Sequence, residues 1–436
     1  MALDRHPRNE YDSRTMNQEP RVPDAVPRHL EVTALFGGVG GLELGLSSAG
    51  HKATTFCEID PEAATILAKQ FPAATLTRDV ARTDEVLAAI TGSSNLLTAG
   101  FPCTDLSQAG KVQGFAGGRS SLVRDALRLV ERRAFPHVLL ENVPNWRLLH
   151  RGAYLREVVQ TLERLGYKWA YRTIDALAFG APQRRQRIFL YATLEGDPRD
   201  VLFHGDVRPP SSAYSLDERA HGFYWTEGTR GLGWGEDCVP TLKGGSTVGV
   251  PSPPAILLPD TRSIAARTSN GDFRLITPDI RDAERLQGLP AGWTAGEDTT
   301  IDGGAFRARR RWLLVGNAVN ARAAAWLGER LARPATWDGD AGRVLNVSDA
   351  WPAAAWSDGC TRRAAEVGAW PVAVKRESLA EFLVHPGAPL SHRATTGFLH
   401  RFVGGNLKDK PDFVAALRAH TARMDALAEG GRPQAA

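Results

Sequence analysis

Glu31-Val32-Thr33-Ala34-Leu35-Phe36-Gly37-Gly38-Val39-Gly40-Gly41 is the stretch that decides how this chain folds. The run from Glu31 to Phe36 has the length and apolar character of a buried strand. It stops at a glycine-rich turn, and a helical pattern follows near Leu42 to Ala49. Strand, glycine turn and helix form the opening unit of a layered α/β sheet, and the glycines let backbone approach a ligand closely. An acid, Glu58, ends the next strand about twenty residues on, where such folds bind ribose hydroxyls. Asp79, after a third strand, is placed to receive an adenine amino group. The set suits an adenosine-containing cofactor, although a lone glycine turn as often only packs a helix on a strand. Glu43 stands where the third glycine of GxGxxG would fall, which argues against NAD.

Outward from this unit the pattern repeats. Strands are expected at His51 to Glu58, Leu96 to Pro102, His137 to Val143 and Arg187 to Ala192, and helices at Pro61 to Phe71, Ser121 to Arg133 and Tyr154 to Leu165. Alternation of this kind implies an α/β fold with a mostly parallel sheet and helices on both faces. The pattern then changes. Residues 193–272 are rich in Gly and Pro and hold no long amphipathic helix, so they read as a small irregular domain. Helical signals return at Pro278 to Gln287 and Asn317 to Ala332. The resulting division is a catalytic domain in two parts, 29–192 and 273–334, with the small domain between them. A C-terminal extension, 335–436, follows, and its Trp337, Trp351, Trp356 and Trp370 read as packing anchors. It is expected to brace the catalytic domain or to bind a partner. Residues 1–28 are polar and proline-bearing and read as a disordered tail.

Composition sets the outer limits. The 436 residues carry a formal net charge of +4 and are 43% hydrophobic, which permits a sizeable core and a polyanionic partner. No apolar run is long enough for a membrane span, and no signal-peptide pattern is present. The four cysteines, Cys57, Cys103, Cys238 and Cys360, form no CxxC pair, so neither a disulfide framework nor a metal site is expected. A reducing, cytoplasmic setting fits them best.

Three further stretches carry chemistry. Gly100-Phe101-Pro102-Cys103-Thr104-Asp105-Leu106-Ser107 follows an apolar strand and places a thiol at the carboxyl edge of the sheet, where open α/β folds bind ligands. A lone cysteine is usually a small buried hydrophobe. Here Pro102 stiffens the chain and polar residues follow at once, which keeps the thiol accessible. Glu141-Asn142-Val143 ends another apolar strand. Gln183-Arg184-Arg185-Gln186-Arg187 leads into a third, and alternation puts Arg185 and Arg187 on one face. Two guanidinium groups there suit holding a substrate and favouring a nearby thiolate; a solvated edge strand is the plainer alternative.

Taken in order, these stretches resemble the DNA (cytosine-5) methyltransferase family. Phe36 to Gly41 is similar to its cofactor loop, Pro102-Cys103 with Ser107 to its nucleophile loop, and Glu141-Asn142-Val143 to its ENV motif. Gln183, Arg185 and Arg187 are similar to its QxRxR motif. Arg274 to Pro278 with Glu284 to Pro290 resembles the segment that opens the last part of the fold. Gly316-Asn317-Ala318-Val319 resembles the final motif, which returns to the cofactor. Thr104 departs from the family, which often has Gln there.

The resemblance implies a Rossmann-like, S-adenosylmethionine (SAM)-dependent enzyme. Its cofactor would be held by Phe36, Gly38, Gly40, Gly41, Glu58, Asp79, Pro102 and Asn317. Cys103 would add to C6 of cytosine, Glu141 would serve N3 with a pKa raised by burial, and Arg187 would bind O2 with Arg185 in support. Asn142, Ser107 and Gln183 would support the loops. Residues 193–272 sit where the family keeps its target-recognition domain. Within and after it, Thr241, Lys243 and the cluster Arg307, Arg309, Arg310 and Arg311 are the candidate DNA contacts. Duplex DNA is the expected substrate, its cytosine flipped out of the stack, with RNA as the runner-up. A monomer when free and a restriction or anti-phage partner encoded nearby complete the expectation.

Overall fold

The computed structural model describes residues 28–101, 121–210, 216–227, 229, 231–245, 252–268, 271–295, 304–405 and 410–430. The tail before residue 28 and the loop bearing Pro102, Cys103 and Ser107 lie outside the described residues.

The alternating half forms β1 (Glu31–Leu35), α1 (Gly41–Ser48), β2 (Lys52–Cys57), α2 (Pro61–Gln70), β3 (Thr75–Thr77), α3 (Thr83–Ala89), β4 (Leu96–Gly100), α4 (Ser121–Arg133), β5 (His137–Asn142), α5 (Ala153–Arg164), β6 (Lys168–Asp175) and β7 (Gln186–Thr193). Then come α6 (Arg199–Leu202), β8 (His221–Phe223), β9 (Gly235–Glu236), β10 (Ala255–Leu257), β11 (Arg267–Thr268), β12 (Gly271–Asp272), β13 (Leu275–Thr277) and α7 (Ile280–Leu286). The chain finishes with α8 (Gly304–Asn317), α9 (Ala321–Ala332), β14 (Ala354–Ser357), β15 (Arg362–Ala364), α10 (Leu379–Phe382), β16 (Ala388–Pro389), α11 (His392–Gly404) and α12 (Pro411–Gly430).

The large sheet runs β15-β14-β6-β7-β5-β4-β1-β2-β3. From β3 to β5 every neighbouring pair is parallel. β7 lies antiparallel between β5 and β6, and β14 pairs antiparallel with β6. Strand order reverses between β1 and β4, which opens a crevice at their carboxyl ends. One core packs α4 and α5 on one face through Leu129, Val130, Leu155 and Val158; the other packs α1 and α9 through Leu42, Leu46, Leu327 and Leu331. The α/β architecture with helices on both faces is therefore the one the sequence implies.

Local signals explain where elements start. Asp60 accepts hydrogen bonds from Glu62 N and Ala63 N, with Pro61 at the first helical position of α2. Asn320 caps α9 in the same way. That cap corrects one expectation: Asn317 to Ala332 is not a single helix. Asn317 ends α8, and Ala318 to Asn320 turn the chain before α9 begins.

β6 was not anticipated. Arg172 interrupts its apolar pattern yet is fully buried, because its guanidinium donates to the carbonyls of Gly368, Leu202, His204 and Gly205. A buried charge needs such partners, and these come from distant segments.

The C-terminal extension braces both sheets. β14 and β15 lengthen the large one, and Tyr171 Oη donates to Pro352 O at 2.8 Å. The small sheet, β16-β13-β10-β8-β9, takes its edge strand from the extension too. Its core joins Phe223, Leu257 and Leu275 to Phe398, Phe402, Phe413 and Leu417 from α11 and α12. Among the described residues no helix is long and apolar enough to cross a membrane.

Candidate active site

A cavity of about 390 Å³ opens at the carboxyl edge of β1, β2, β4 and β5, roofed by the end of α8. Phe36, Gly38, Glu58, Asp79, Glu141, Asn142, Arg187 and Asn317 all line it. Residues from six separate stretches of sequence thus meet in one place. Phe36 has φ 55°, a left-handed conformation rare for a side chain of its size. Strain of this kind gathers at ligand sites because the surrounding fold must hold it in place.

At one end stands Glu58. Its Oε2 accepts from Gly38 N at 2.7 Å and its Oε1 from Asp60 N at 2.8 Å, so the acid and the glycine loop fix each other. Burial raises its pKa, and the two amides pull the other way. Asp79 Oδ1 accepts from Ala81 N at 2.9 Å. Gly40 and Gly41 do not line the cavity. Gly40 starts α1 at φ 78°, and a Cβ there would lie 2.4 Å from the Phe71 ring. Gly41 abuts the backbone of Val319, which joins the loop to the final motif.

At the other end Glu141 faces Arg187, whose Nε lies 2.9 Å from Oε1. Burial raises the carboxyl pKa; Arg187 and Arg185 lower it, with burial the larger effect. Asn142 Nδ2 donates to Phe101 O at 3.4 Å, tying the ENV motif to the residue just before Pro102. The Phe101 ring meets Trp146 edge-on at 5.2 Å.

Arg185 is not in the cavity. It is fully buried and donates to Leu242 O at 3.1 Å, Gly316 O at 3.2 Å and Ala318 O at 2.8 Å. Gln183 works beside it, donating to Leu286 O at 2.9 Å and accepting from Leu242 N at 3.0 Å. The two clasp three segments to the start of β7. Contact is tight enough that a Cβ on Gly316 would lie 2.3 Å from Gly244 N.

The candidate DNA contacts divide. Thr241 Oγ1 donates to Arg184 O at 2.8 Å, and Lys243 Nζ lies 2.5 Å from Glu227 Oε1 and over the Tyr224 ring. Arg309 is exposed. Arg310 pairs with Asp60 and Glu62, and Arg311 with the buried Glu284, so those two charges serve the fold. The side chain of Arg307 lies outside the described residues. Sequence reasoning missed Leu313 and Leu314 of the cavity roof because the arginine run concealed α8. It also missed Glu43, buried beneath the loop and hydrogen-bonded by Thr98 at 2.8 Å. Burial pushes that carboxyl up to about 7, the Thr98 bond offsetting part of the rise.

A carboxylate-lined crevice at the switch point of a mostly parallel sheet is where Rossmann-like folds bind their ligands. Comparison narrows the class. Residues 30–216 match the family model of the C-5 cytosine-specific DNA methylases. The chain is 42% identical to Type II methyltransferase M2.BsuMI of Bacillus subtilis (strain 168) over 397 residues, 89% of this chain and 97% of that one. That span is longer than residues 1–334, so part of the extension lies within it. Type II methyltransferase M.MspI of Moraxella sp is 32% identical over 214 residues, 46% of this chain and 50% of that one. The crystal structure of S. pombe Dnmt2 methyltransferase aligns with a TM-score of 0.49 at 17% identity, covering 70% of this chain and 98% of that one. The chain belongs to the C-5 cytosine-specific DNA methylases and is a DNA cytosine-5 methyltransferase.

Proposed function

We propose that this enzyme methylates a cytosine flipped out of a specific duplex sequence, through a covalent bond from Cys103 to C6. The observation that carries the reading is the pairing of buried Glu141 with part-buried Arg187 at one end of a cavity whose other end holds Glu58 and Asp79. SAM fits this cavity: Glu58 keeps lone pairs for ribose hydroxyls after its two backbone bonds, Asp79 lies beyond it, and Phe36, Gly38 and Asn317 complete the walls. When bound, SAM supplies an electrophilic methyl group.

The chain's residues prepare the base. The Cys103 thiolate forms a bond to C6, and the C5=C6 electrons move toward C5 as the ring takes a proton at N3. Glu141, whose pKa burial raises, gives that proton. Arg187 donates to O2 and stabilises charge developing there. C5, now enamine-like, would take the methyl carbon as that carbon's bond to the sulfonium sulfur breaks and a neutral thioether leaves. Loss of the C5 proton to water then restores the double bond, breaks C6–S and returns the thiolate, and the N3 proton goes back to Glu141. Arg185 and Gln183 act indirectly, by holding the cavity wall.

Residues 193–272 are the target-recognition region, with Thr241, Lys243 and Arg309 as candidate contacts to the duplex. Relatives named as Type II methyltransferases support a role as the modification partner of a restriction endonuclease or another anti-phage system. A survey of neighbouring genes that finds no defence protein counts against that role.

The deciding experiment is transfer from labelled SAM to unmethylated duplex DNA, followed by bisulfite sequencing, with Cys103→Ser alongside. Methylcytosine in one short context, lost in the variant, is expected. Unimpaired transfer by Cys103→Ser rules out the covalent route.

A further inference from the structure

The recognition region is held from a place no family motif marks. Arg401, on α11 of the extension, donates through Nη2 to Trp225 O at 2.8 Å and through Nε to Glu227 O at 3.1 Å. Two donors of one rigid fork thus engage carbonyls two residues apart, a match that lysine cannot reproduce. The same short segment organises its surroundings. Glu227 holds the Lys243 ammonium at 2.5 Å, and Tyr224 lies beneath it at 3.7 Å. Trp225 Nε1 donates to Pro253 O at 2.8 Å, and Thr226 Oγ1 meets Ser252 Oγ at 2.9 Å. On its other side Lys243 adjoins Leu242 and Gly244, which pack on the clasp at Arg185 and on Asn317 of the cavity roof.

We propose that Arg401 is a positioning residue for DNA recognition: by fixing Trp225 to Glu227 it sets where Glu227 presents the Lys243 ammonium to the duplex. The inference rests on the reading of Lys243 as a phosphate contact. A lysine has a long, flexible stem, so its position depends on what anchors its head before DNA arrives. Glu227 is that anchor, and its own backbone is tethered by a side chain more than a hundred residues downstream. The family fold then needs the extension for its grip on substrate as well as for its core. The α11–α12 hairpin supports this: Phe398 and Phe413 pack on Phe223, one residue from Tyr224, and Phe402 packs on both.

The test compares wild type with Arg401→Ala, Arg401→Lys, Lys243→Ala and the Arg401→Ala/Lys243→Ala pair on a short duplex bearing the bisulfite-defined target. Arg401→Ala is expected to raise the KM for DNA about tenfold, with kcat and the KM for SAM changing far less. The salt dependence of DNA affinity flattens by about one phosphate contact in both single variants. The double variant is no worse than Lys243→Ala, because both act on one contact. Arg401→Lys recovers part of the loss. Wild-type DNA KM in Arg401→Ala, equal losses in SAM and DNA terms, or additive effects in the pair overturn the proposal. Lys243→Ala impaired beside a normal Arg401→Ala rejects this inference alone; a normal Lys243→Ala rejects the Lys243 reading and this inference with it. Should Arg401→Ala fail to fold, Glu227→Gln breaks the next link in the chain, between the tethered backbone and the Lys243 ammonium, from a half-exposed position. It is expected to raise the KM for DNA likewise, and an unchanged value overturns the proposal.

Discussion

Arg187 Nε sits 2.9 Å from Glu141 Oε1, across the antiparallel junction of β5 and β7. The junction matters because strand register, rather than a flexible loop, fixes the pair. Glu141 pairs with Phe189 in the ladder, which places Arg187 just beyond it at the sheet edge. A carboxyl group and a cation are thereby held on rigid elements, the arrangement that the proposed electrostatic catalysis requires.

Glu141→Gln keeps the shape of the pair but removes the transferable proton. Transfer from SAM to DNA should fall by about 10²- to 10⁴-fold in kcat while SAM binding measured by titration calorimetry persists. A variant with normal kcat would falsify the role given to this carboxyl.

Arg185→Met should loosen the clasp and with it Gly316 of the cavity wall. It leaves the Leu242, Gly316 and Ala318 carbonyls without their donor. A loss of at least about 3 kcal/mol in urea denaturation is expected. A change under 1 kcal/mol (roughly the worth of one hydrogen bond) would show that water replaces the guanidinium.

Glu43 gives the fold a pH dependence. In the folded chain it holds its proton to about 7, against an ordinary value of 4.5. Between those values the native state binds more proton than the unfolded one, so stability falls as pH rises. Glu43→Gln cannot ionise. Its Tm relative to wild type should climb from pH 5 to pH 8, corresponding to on the order of 3 kcal/mol. A Tm difference flat across that interval would contradict the buried, protonated carboxyl.

Phe398→Ala tests the extension's part in the small domain. The ring is fully buried against Phe223 at 5.2 Å and Phe413 at 6.1 Å. Truncation should cost about 3–5 kcal/mol in equilibrium unfolding. Wild-type stability would mean that the aromatic cluster is dispensable.

Much of the site was legible because its residues sit in local patterns. Phe36 to Gly41 advertises a turn, and Glu58, Glu141 and Arg187 fall at the ends of apolar runs, where strand alternation places them on the crevice. What escaped notice depends on partners far off in sequence. Arg172 hides β6 because its carbonyl partners lie on Leu202 to Gly205 and on Gly368. The arginine cluster reads as a set of DNA contacts until the fold brings Asp60 and Glu62 to Arg310 and Glu284 to Arg311. Arg185 read as a substrate ligand because nothing local reveals the three carbonyls that surround it. Bracing and partner binding both stayed open for the extension because Ala354 to Ser357 is too short to announce a strand that joins the large sheet.

That late joining has a consequence for how the protein is made. On the ribosome β6 waits for β14, and the small domain waits for Phe398, Phe413 and Leu417. Until those residues emerge, β6 shows an open backbone edge and Phe223 and Leu257 lack their cover. Sequence separation of this order slows folding and leaves apolar surface exposed while it proceeds. The nascent enzyme therefore carries an open strand edge and a bare apolar face until the extension has been translated.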